Sequence, residues 1–311
     1  MKSRKRRFIS GEGMHVYQRS VYGQMIFYDL EDFLVFYMIF SVYARLYDVR
    51  VLELCIMPNH THVLLFSDAQ EELSGFIRRY TSVFVREYND DIGRKGALFH
   101  KSFGSAPKKG GKSIRSTIVY IGNNPVEKEL TLTAEKYKWN FLAYIKRVLS
   151  GQTIPLRKLS RKLQKAFKYV NRAHEGSRYL TYEQLRRLMK NFDAYKREML
   201  TDHIIMTYFP FDIEALMSFY PSYEDMIVAM HSTSGKEYDI KEMYTPEPDT
   251  VYRKMIKVLK DNGIVEADGQ VRKITVLPAD DKYKIAHLLK EKTGAHINQI
   301  CGFLHLPLRK L

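Results

Sequence analysis

The sequence predicts an α+β fold, in which an antiparallel sheet packs against helices and a mainly α-helical extension follows. Two observations predict it. Up to about residue 124, short runs of β-branched and aromatic residues alternate with segments whose apolar residues recur every three or four positions. Beyond residue 150 the recurring pattern is almost entirely helical.

A strand, a helix and a β-hairpin are predicted first. Residues 15–21 carry aromatic and β-branched side chains before a Tyr-Gly turn, which favours a strand. Residues 29–47 have apolar side chains at helical spacing, and Asp29 is a suitable N-cap. Residues 49–57 and 60–66 are two further apolar runs joined by a Met-Pro-Asn-His turn.

The following elements complete an alternating order. Residues 69–88 predict an amphipathic helix and residues 97–103 another strand. Residues 105–112 are rich in Gly and Lys and predict a loop, and residues 113–124 predict a helix that Pro125 ends. The resulting βαββαβ order, with a last helix, is that of the ferredoxin-like split unit, an antiparallel sheet with helices on one side.

We divide the 311 residues into three predicted parts because the length exceeds one typical domain. Residues 1–150 hold the α+β unit, residues 151–200 a basic helical segment, and residues 201–311 a helical C-terminal domain. Helices predicted at 281–292 and 297–304 resemble the opening of a helix-turn-helix, but little chain remains for a recognition helix. A truncated DNA reader and a small helical cap both remain open.

The chain is strongly basic, and the excess is uneven. Its net charge is +15 and its pI is about 9.5. Residues 1–150 contain 23 basic and 15 acidic residues, residues 151–200 contain 13 and 4, and residues 201–311 contain 14 and 16. Such a positive field favours a polyanionic partner, either nucleic acid or an anionic membrane surface.

Several protein classes are disfavoured by composition. A hydrophobic content of 45% is ordinary for a globular protein. The longest uncharged apolar stretch, residues 33–44, is far shorter than the roughly 20 residues that a membrane helix needs. The basic start is not followed by an apolar core, and Cys55 and Cys301 suggest neither a disulfide framework nor a zinc site. We therefore expect a cytoplasmic protein with no membrane-spanning segment.

A pair of histidines stands at the start of the fourth predicted element. Side chains alternate along a strand, so His60 and His62 point to one face and Thr61 to the other. Two imidazoles at this spacing can reach one cation. The alternative is a pair of ordinary surface histidines.

A tyrosine and an asparagine share a face of the last helix of the α+β unit. Tyr120 and Asn124 are four residues apart, which places them one turn from each other. The amide oxygen of Asn124 is a neutral, hard ligand that could complete a two-histidine site for a magnesium-like ion. A core tyrosine and a helix-capping asparagine are the alternative.

Together these motifs resemble the single-tyrosine HUH nucleases, and among them the REP-associated tyrosine transposases. The resemblance covers roughly residues 8–130. Thr61 stands where the motif prefers an apolar residue, and Gly122 interrupts the tyrosine helix. The residues that carry the resemblance are His15-Val-Tyr-Gln-Arg19, Met57-Pro-Asn-His-Thr-His62 with Val63-Leu-Leu65, Leu98-Phe-His-Lys-Ser-Phe103, Tyr120-Ile121 and Asn124-Pro-Val126.

The resemblance implies a metal-dependent endonuclease and strand transferase that acts on single-stranded or hairpin DNA, so we expect DNA as the polyanionic partner and no membrane partner. Tyr120 would attack a phosphodiester to give a 5′-phosphotyrosine link, and His60, His62 and Asn124 would hold Mg²⁺ or Mn²⁺. A monomer and a homodimer both remain open. Two rival functions are a non-catalytic regulator that binds hairpin DNA and an RNA-binding ferredoxin-like module, although the ring-stacking motif expected of the latter is not found.

Basic side chains near the proposed site and in the following segment are candidates for DNA backbone contacts. A solvated charged surface is the alternative, especially for the first group. The candidates are Lys101, Lys108, Lys109, Lys112 and Arg115 beside the site, and Arg157, Lys158, Arg161, Lys162 and Lys165 in the basic segment.

Overall fold

A four-stranded antiparallel sheet lies at the centre of the computed structural model, which describes residues 8–152, 159–232, 248–266 and 269–307. Its strands are β1 (Gly13–Arg19), β2 (Arg50–Met57), β3 (His60–Phe66) and β4 (Gly104–Lys108), in the spatial order β2-β3-β1-β4. Each neighbouring pair is antiparallel. The predicted α+β class and ferredoxin-like strand order are confirmed.

Helices cover both faces of the sheet. Asp29 is the N-cap of helix α1 (Leu30–Leu46), and Gly93 is the C-cap of helix α2 (Gln70–Ile92). Both pack on the face from which Gln18 of β1 reaches the α2 side chains Tyr80 and Thr81. Helix α3 (Gly110–Glu127) lies on the opposite face, against β2 and β3. The prediction that the helices lie on one side is therefore correct for α1 and α2 and wrong for α3.

The last strand lies later in the chain than predicted. Residues 97–103 form only an isolated bridge, between Phe99 and Ser20, whereas Gly104–Lys108, predicted as a loop, pairs with β1. Leu98 and Phe99 are buried and apolar, which gave their segment a strand-like pattern. At Gly104 a Cβ atom would lie 2.0 Å from the ring of Tyr17, so a glycine is what allows the strand to pass there.

Pro125 does not end the third helix. Helix α3 continues through it to Glu127, and it begins at Gly110, three residues earlier than predicted. Asn124 and Pro125 are both buried, and the Lys128 N–H donates to the Asn124 carbonyl at 3.2 Å. Tertiary burial thus outweighs the bias against helical conformation in the residue before a proline.

The rest of the described chain is helical, as predicted. Two groups of helices follow α3, separated by residues that are not described. The first contains α4 (Leu142–Leu149), α5 (Arg161–Glu175), α6 (Tyr182–Met189), α7 (Ala194–Thr207), α8 (Ile213–Met217) and α9 (Tyr223–Ser232). The second contains α10 (Thr250–Asp261), α11 (Ala279–Thr293) and α12 (Ile297–Leu304). Within the described ranges, every helix is too short or too polar to cross a membrane.

Two hydrophobic cores underlie this arrangement. The larger core contains the sheet and α1–α9, whereas the smaller contains α10–α12 together with Met25 and Tyr28. A buried ion-pair network joins the two units. Arg272 Nη1 lies 2.5 Å from Asp32 Oδ1 of α1, and its guanidinium also pairs with Asp91 and stacks 3.6 Å from the ring centroid of Tyr182.

Candidate active site

The two histidines of the motif lie side by side on one face of the sheet. In the strand register, His60 stands opposite Met57 and Arg19, and His62 stands opposite Cys55 and Tyr17. The His62 side chain is fully buried, whereas His60 is half-buried. Their rings are perpendicular with centroids 5.0 Å apart. Thr61 points to the opposite face and is buried, as strand alternation predicts.

Helix α3 brings the other two predicted residues to the same place. The Asn124 amide lies between the histidines, with Oδ1 3.2 Å from His60 Nε2 and Nδ2 3.4 Å from His62 Nε2. The Tyr120 ring meets the His62 ring edge-on, with centroids 5.5 Å apart. All four residues named from the sequence thus meet at one point between α3 and β3.

The far nitrogen of each imidazole is hydrogen-bonded. Nδ1 of His60 lies 2.7 Å from Asn59 Oδ1, and Nδ1 of His62 lies 3.0 Å from His15 Nε2. In the tautomer that carries the proton on Nδ1 in both rings, each Nε2 presents a lone pair toward Asn124. Outer contacts of this kind fix the orientation of metal-binding histidines in proteins.

The donor set suits a hard divalent cation. With Nδ1 protonated, His60 Nε2 faces Asn124 Oδ1 across 3.2 Å as one acceptor opposite another, and a cation between them would remove the repulsion. Among the described residues there is no cluster of three or more His, Cys, Asp or Glu side chains able to hold a metal. An ion at this site would therefore depend on the amide oxygen of Asn124 as its third protein ligand.

Burial keeps the inner histidines neutral. It lowers the pKa of His62 to about 3, with a smaller effect from the positive charge of Arg19. It also lowers the pKa of His15 well below its usual value, an effect that His62 and the charge of Lys108 increase. At neutral pH the imidazoles therefore carry lone pairs, and Arg19 and Lys108 supply positive charge near the site.

His15 is a further residue of the site, and in the sequence it was part of the motif His15-Val-Tyr-Gln-Arg19 without being a predicted ligand. It is fully buried, and its ring lies 5.9 Å from that of Tyr120. Its place beside His62 follows from the pairing of β1 with β3. Strand alternation indicates which face of β1 carries the His15 side chain. The register between β1 and β3, which brings His15 to His62, could not be read from one sequence.

Gly122 does not interrupt helix α3, which is continuous from Gly110 to Glu127, but it allows close packing. A Cβ atom there would lie 2.7 Å from Met230 Cε and 3.3 Å from Glu53 Oε1. Glu53 is buried beneath the helix, and neither of its carboxylate oxygens has a hydrogen-bond partner among the described residues. Burial raises the pKa of Glu53 well above its usual value, which favours the neutral acid.

Most of the basic candidates for DNA contact are exposed. Lys108 is the exception, since only 8% of its surface is exposed. Lys162 is exposed, and its ammonium group donates to the Lys190 carbonyl at 2.9 Å. Arg157 and Lys158 lie outside the described residues. The exposed candidates are Lys101, Lys109, Lys112 and Arg115 around β4 and α3, and Arg161, Lys162 and Lys165 on α5.

A cleft of about 600 Å³ lies on the α2 side of the sheet, between that helix and residues 97–103. Its lining has no acidic side chain, and it combines buried apolar groups such as Phe99 with the exposed cations Arg78, Arg86 and Lys101. Apolar walls beside cations are suited to unpaired bases and phosphates.

Most of the α+β unit is similar to a known protein family. Residues 14–124 are similar to the family described as "Transposase IS200 like" and match its model. The family resemblance predicted from the sequence is confirmed. One similar solved structure is described as the "Structure of the REP associates tyrosine transposase bound to a REP hairpin". It is 15% identical, with a TM-score of 0.40, and the match covers 50% of this chain and 89% of that one. No curated protein sequence matches the chain.

Proposed function

We propose that this protein is a metal-dependent endonuclease and strand transferase for single-stranded DNA, with Tyr120 as the nucleophile. The observation that carries the proposal is that Tyr120, His60, His62 and Asn124 lie together, and the match to the IS200-like transposase model over residues 14–124 supports it. A buried tyrosine beside two lone-pair nitrogens and an amide oxygen is suited to phosphoryl transfer.

In the proposed reaction, the phenol oxygen of Tyr120 attacks the scissile phosphorus. A bond forms between that oxygen and phosphorus, the bond from phosphorus to the 3′ oxygen breaks, and the phenol proton is lost as the 3′ oxygen gains one. The products are a 5′-phosphotyrosine and a free 3′-hydroxyl. Because one phosphodiester replaces another, a 3′-hydroxyl can reverse the step and join strands without ATP.

A divalent ion, Mg²⁺ or Mn²⁺, bound by His60, His62 and Asn124 would act as a Lewis acid on the phosphate. His15 and Asn59 hold the two imidazoles with Nε2 directed to the site. All three ligands are neutral, so they do not cancel the positive charge offered to the phosphate. Arg19 and Lys108 add positive charge in the same region.

We propose single-stranded or hairpin DNA as the substrate. The positive charge of the first 200 residues supports a polyanion, and the transposase family favours DNA over a membrane surface. The exposed cations around β4 and on α5 offer contacts to phosphates, and the cleft beside α2 offers room for unpaired bases.

The proposal is tested by incubating the protein with a labelled hairpin-containing single strand and Mg²⁺ or Mn²⁺. We expect an adduct that resists denaturation, and its loss in Tyr120→Phe and in His62→Ala. An adduct that persists in Tyr120→Phe would overturn the assignment of the nucleophile. Tight hairpin binding with no cleavage under any of these conditions would favour the non-catalytic regulator instead.

A further inference from the structure

The helices beyond residue 247 are not explained by the proposed chemistry, but they contact the segment that positions His60. We define the C-terminal clamp as residues 248–266 and 269–307, and the support segment as residues 20–28, which follow β1. The clamp lies outside residues 14–124, the part of the chain that matches the transposase family. Its core includes Met25 and Tyr28 of the support segment.

The support segment holds the turn between β2 and β3. The amide groups of Ile26 and Phe27 both donate to the Pro58 carbonyl, at 2.8 and 3.1 Å. The Ser20 amide donates to the Asn59 carbonyl at 2.9 Å. These three bonds fix the turn from outside the hairpin, so the support segment sets the position of Asn59.

Asn59 in turn sets the ring of His60. Its Oδ1 atom accepts a hydrogen bond from His60 Nδ1 at 2.7 Å, which leaves Nε2 directed at Asn124. Asn59 makes no part of the proposed ligand set, so its role is that of a positioning residue.

The clamp fixes the support segment through several direct contacts. The Met25 amide donates to the Gly302 carbonyl at 3.0 Å, and His305 Nε2 donates to the Met25 carbonyl at 2.7 Å. The buried Tyr28 hydroxyl donates to the Phe303 carbonyl at 2.6 Å. Helix α12 approaches so closely that a Cβ atom at Gly302 would lie 2.8 Å from the Gly23 carbonyl oxygen.

The same clamp also touches the end of the tyrosine helix. The Asp249 amide donates to the Lys128 carbonyl at 3.0 Å, and Lys128 itself donates to the Asn124 carbonyl at 3.2 Å. Gln299 of α12 donates to the Pro248 carbonyl at 3.0 Å, which ties this contact to the contacts at the support segment. One unit therefore holds both elements that supply the proposed ligands.

We propose that the C-terminal clamp keeps the two halves of the site in register, with Asn59 as the positioning residue for His60 and Tyr28 as the main anchor of the support segment. The inference rests on the proposed function in taking His60 and Asn124 as metal ligands. Loosening the clamp would let the β2–β3 turn move and would separate the His60 imidazole from the Asn124 amide.

The anchor is tested with Tyr28→Phe, which removes one hydroxyl and keeps the ring. Two quantities are measured: amide hydrogen exchange at Ile26 and Phe27 in protein without metal, and Mn²⁺ affinity by electron paramagnetic resonance. We expect exchange to rise, and Mn²⁺ affinity to fall, by about fivefold each, since one buried hydrogen bond is lost.

A matched control is Tyr37→Phe. The Tyr37 hydroxyl is also buried and donates to a carbonyl of a distant helix, that of Ile205 at 2.9 Å, but it lies in the larger core. Tyr37→Phe should reduce thermal stability to a similar extent as Tyr28→Phe. It should leave the amide exchange at Ile26 and Phe27 and the Mn²⁺ affinity within about twofold of wild type. Equal effects of the two variants would show that the readouts report general stability, and this would overturn the proposal.

The positioning role is tested with Asn59→Ala and Asn59→Asp. Alanine should weaken Mn²⁺ binding about tenfold without raising exchange at Ile26 and Phe27, and aspartate should restore much of the affinity because it can accept the same bond. Unchanged exchange in Tyr28→Phe would overturn the clamp even if the wild type cleaves DNA. A wild type that neither binds Mn²⁺ nor forms an adduct would contradict the proposed function, while the exchange measurement would still decide whether the clamp holds the turn.

Discussion

His15 of β1 and His62 of β3 stack with ring centroids 5.3 Å apart, and His15 Nε2 lies 3.0 Å from His62 Nδ1. Both rings are fully buried. His15 thus stands behind a proposed metal ligand and fixes its orientation, on a strand that contributes nothing to the paired-histidine motif itself.

We predict that His15→Ala weakens Mn²⁺ binding by about tenfold, because the His62 ring loses the partner that fixes it. DNA cleavage at a limiting Mn²⁺ concentration should fall with it and recover partly at high concentration. A titration followed by electron paramagnetic resonance measures the affinity. His287→Ala, at an exposed histidine of α11, is the control and should bind Mn²⁺ as the wild type does. Equal affinity in His15→Ala and the control would contradict the role given to His15.

Replacing Gly122 tests the close packing of α3 on β2. In Gly122→Ala the new methyl group would lie 2.7 Å from Met230 Cε and 3.3 Å from Glu53 Oε1, so we expect a loss of about 1–3 kcal/mol in the free energy of unfolding. Gly111→Ala in the same helix is the control, because the nearest atom there is 3.8 Å away. Urea denaturation measures both. A Gly122→Ala variant as stable as Gly111→Ala would show that the contacts with Met230 and Glu53 can be relieved without loss of stability.

Stability should fall in acid because several histidines are buried in neutral form. Burial lowers the pKa of His62 and of His305 to about 3, and that of His203 to about 4. The unfolded chain takes up these protons near pH 6.5, before the folded protein does. The contribution of these neutral histidines to the free energy of unfolding is therefore complete above about pH 6.5, and it is lost as the pH falls toward 3.

His203→Gln isolates one of these groups away from the proposed site. The variant should lose roughly 2 kcal/mol less unfolding free energy than the wild type when the pH falls from 7 to 5. Urea denaturation at the two pH values provides the comparison. The same pH dependence in variant and wild type would mean that His203 titrates normally in the folded protein.

The basic face of α5 should contribute to DNA binding. Arg161 and Lys165 are both exposed on this helix. The double variant Arg161→Ala/Lys165→Ala should weaken binding to single-stranded DNA, and the slope of log affinity against log salt should fall by about 1.4. Fluorescence anisotropy at several salt concentrations measures both. Lys254→Ala/Lys257→Ala on α10 removes the same charge elsewhere, and an equal effect there would argue for a purely long-range attraction.

Much of the α+β unit could be predicted because its signals are local. Strand alternation placed His60 and His62 on one face of a strand, and helical spacing placed Tyr120 and Asn124 on one face of a helix. The order of the predicted strands and helices indicated the topology of the sheet. These features depend on neighbours within one element, which the sequence displays directly.

The features that escaped prediction depend on contacts between distant elements. Gly104–Lys108 has little strand propensity, and it is extended because β1 offers an open edge. Pro125 is buried within helix α3, and the helix continues through it. The link from Tyr28 to Phe303 spans 275 residues of sequence, so no local pattern could reveal it.

The proposed function depends on a covalent bond between Tyr120 and DNA, which mass spectrometry can detect. The protein is incubated with a hairpin-containing single strand and Mn²⁺, digested with protease, and analysed by mass spectrometry. The proposed function predicts an oligonucleotide attached through a 5′ phosphate to the peptide that contains Tyr120. Attachment at another residue, or bound DNA recovered intact with an unmodified Tyr120 peptide, would contradict it.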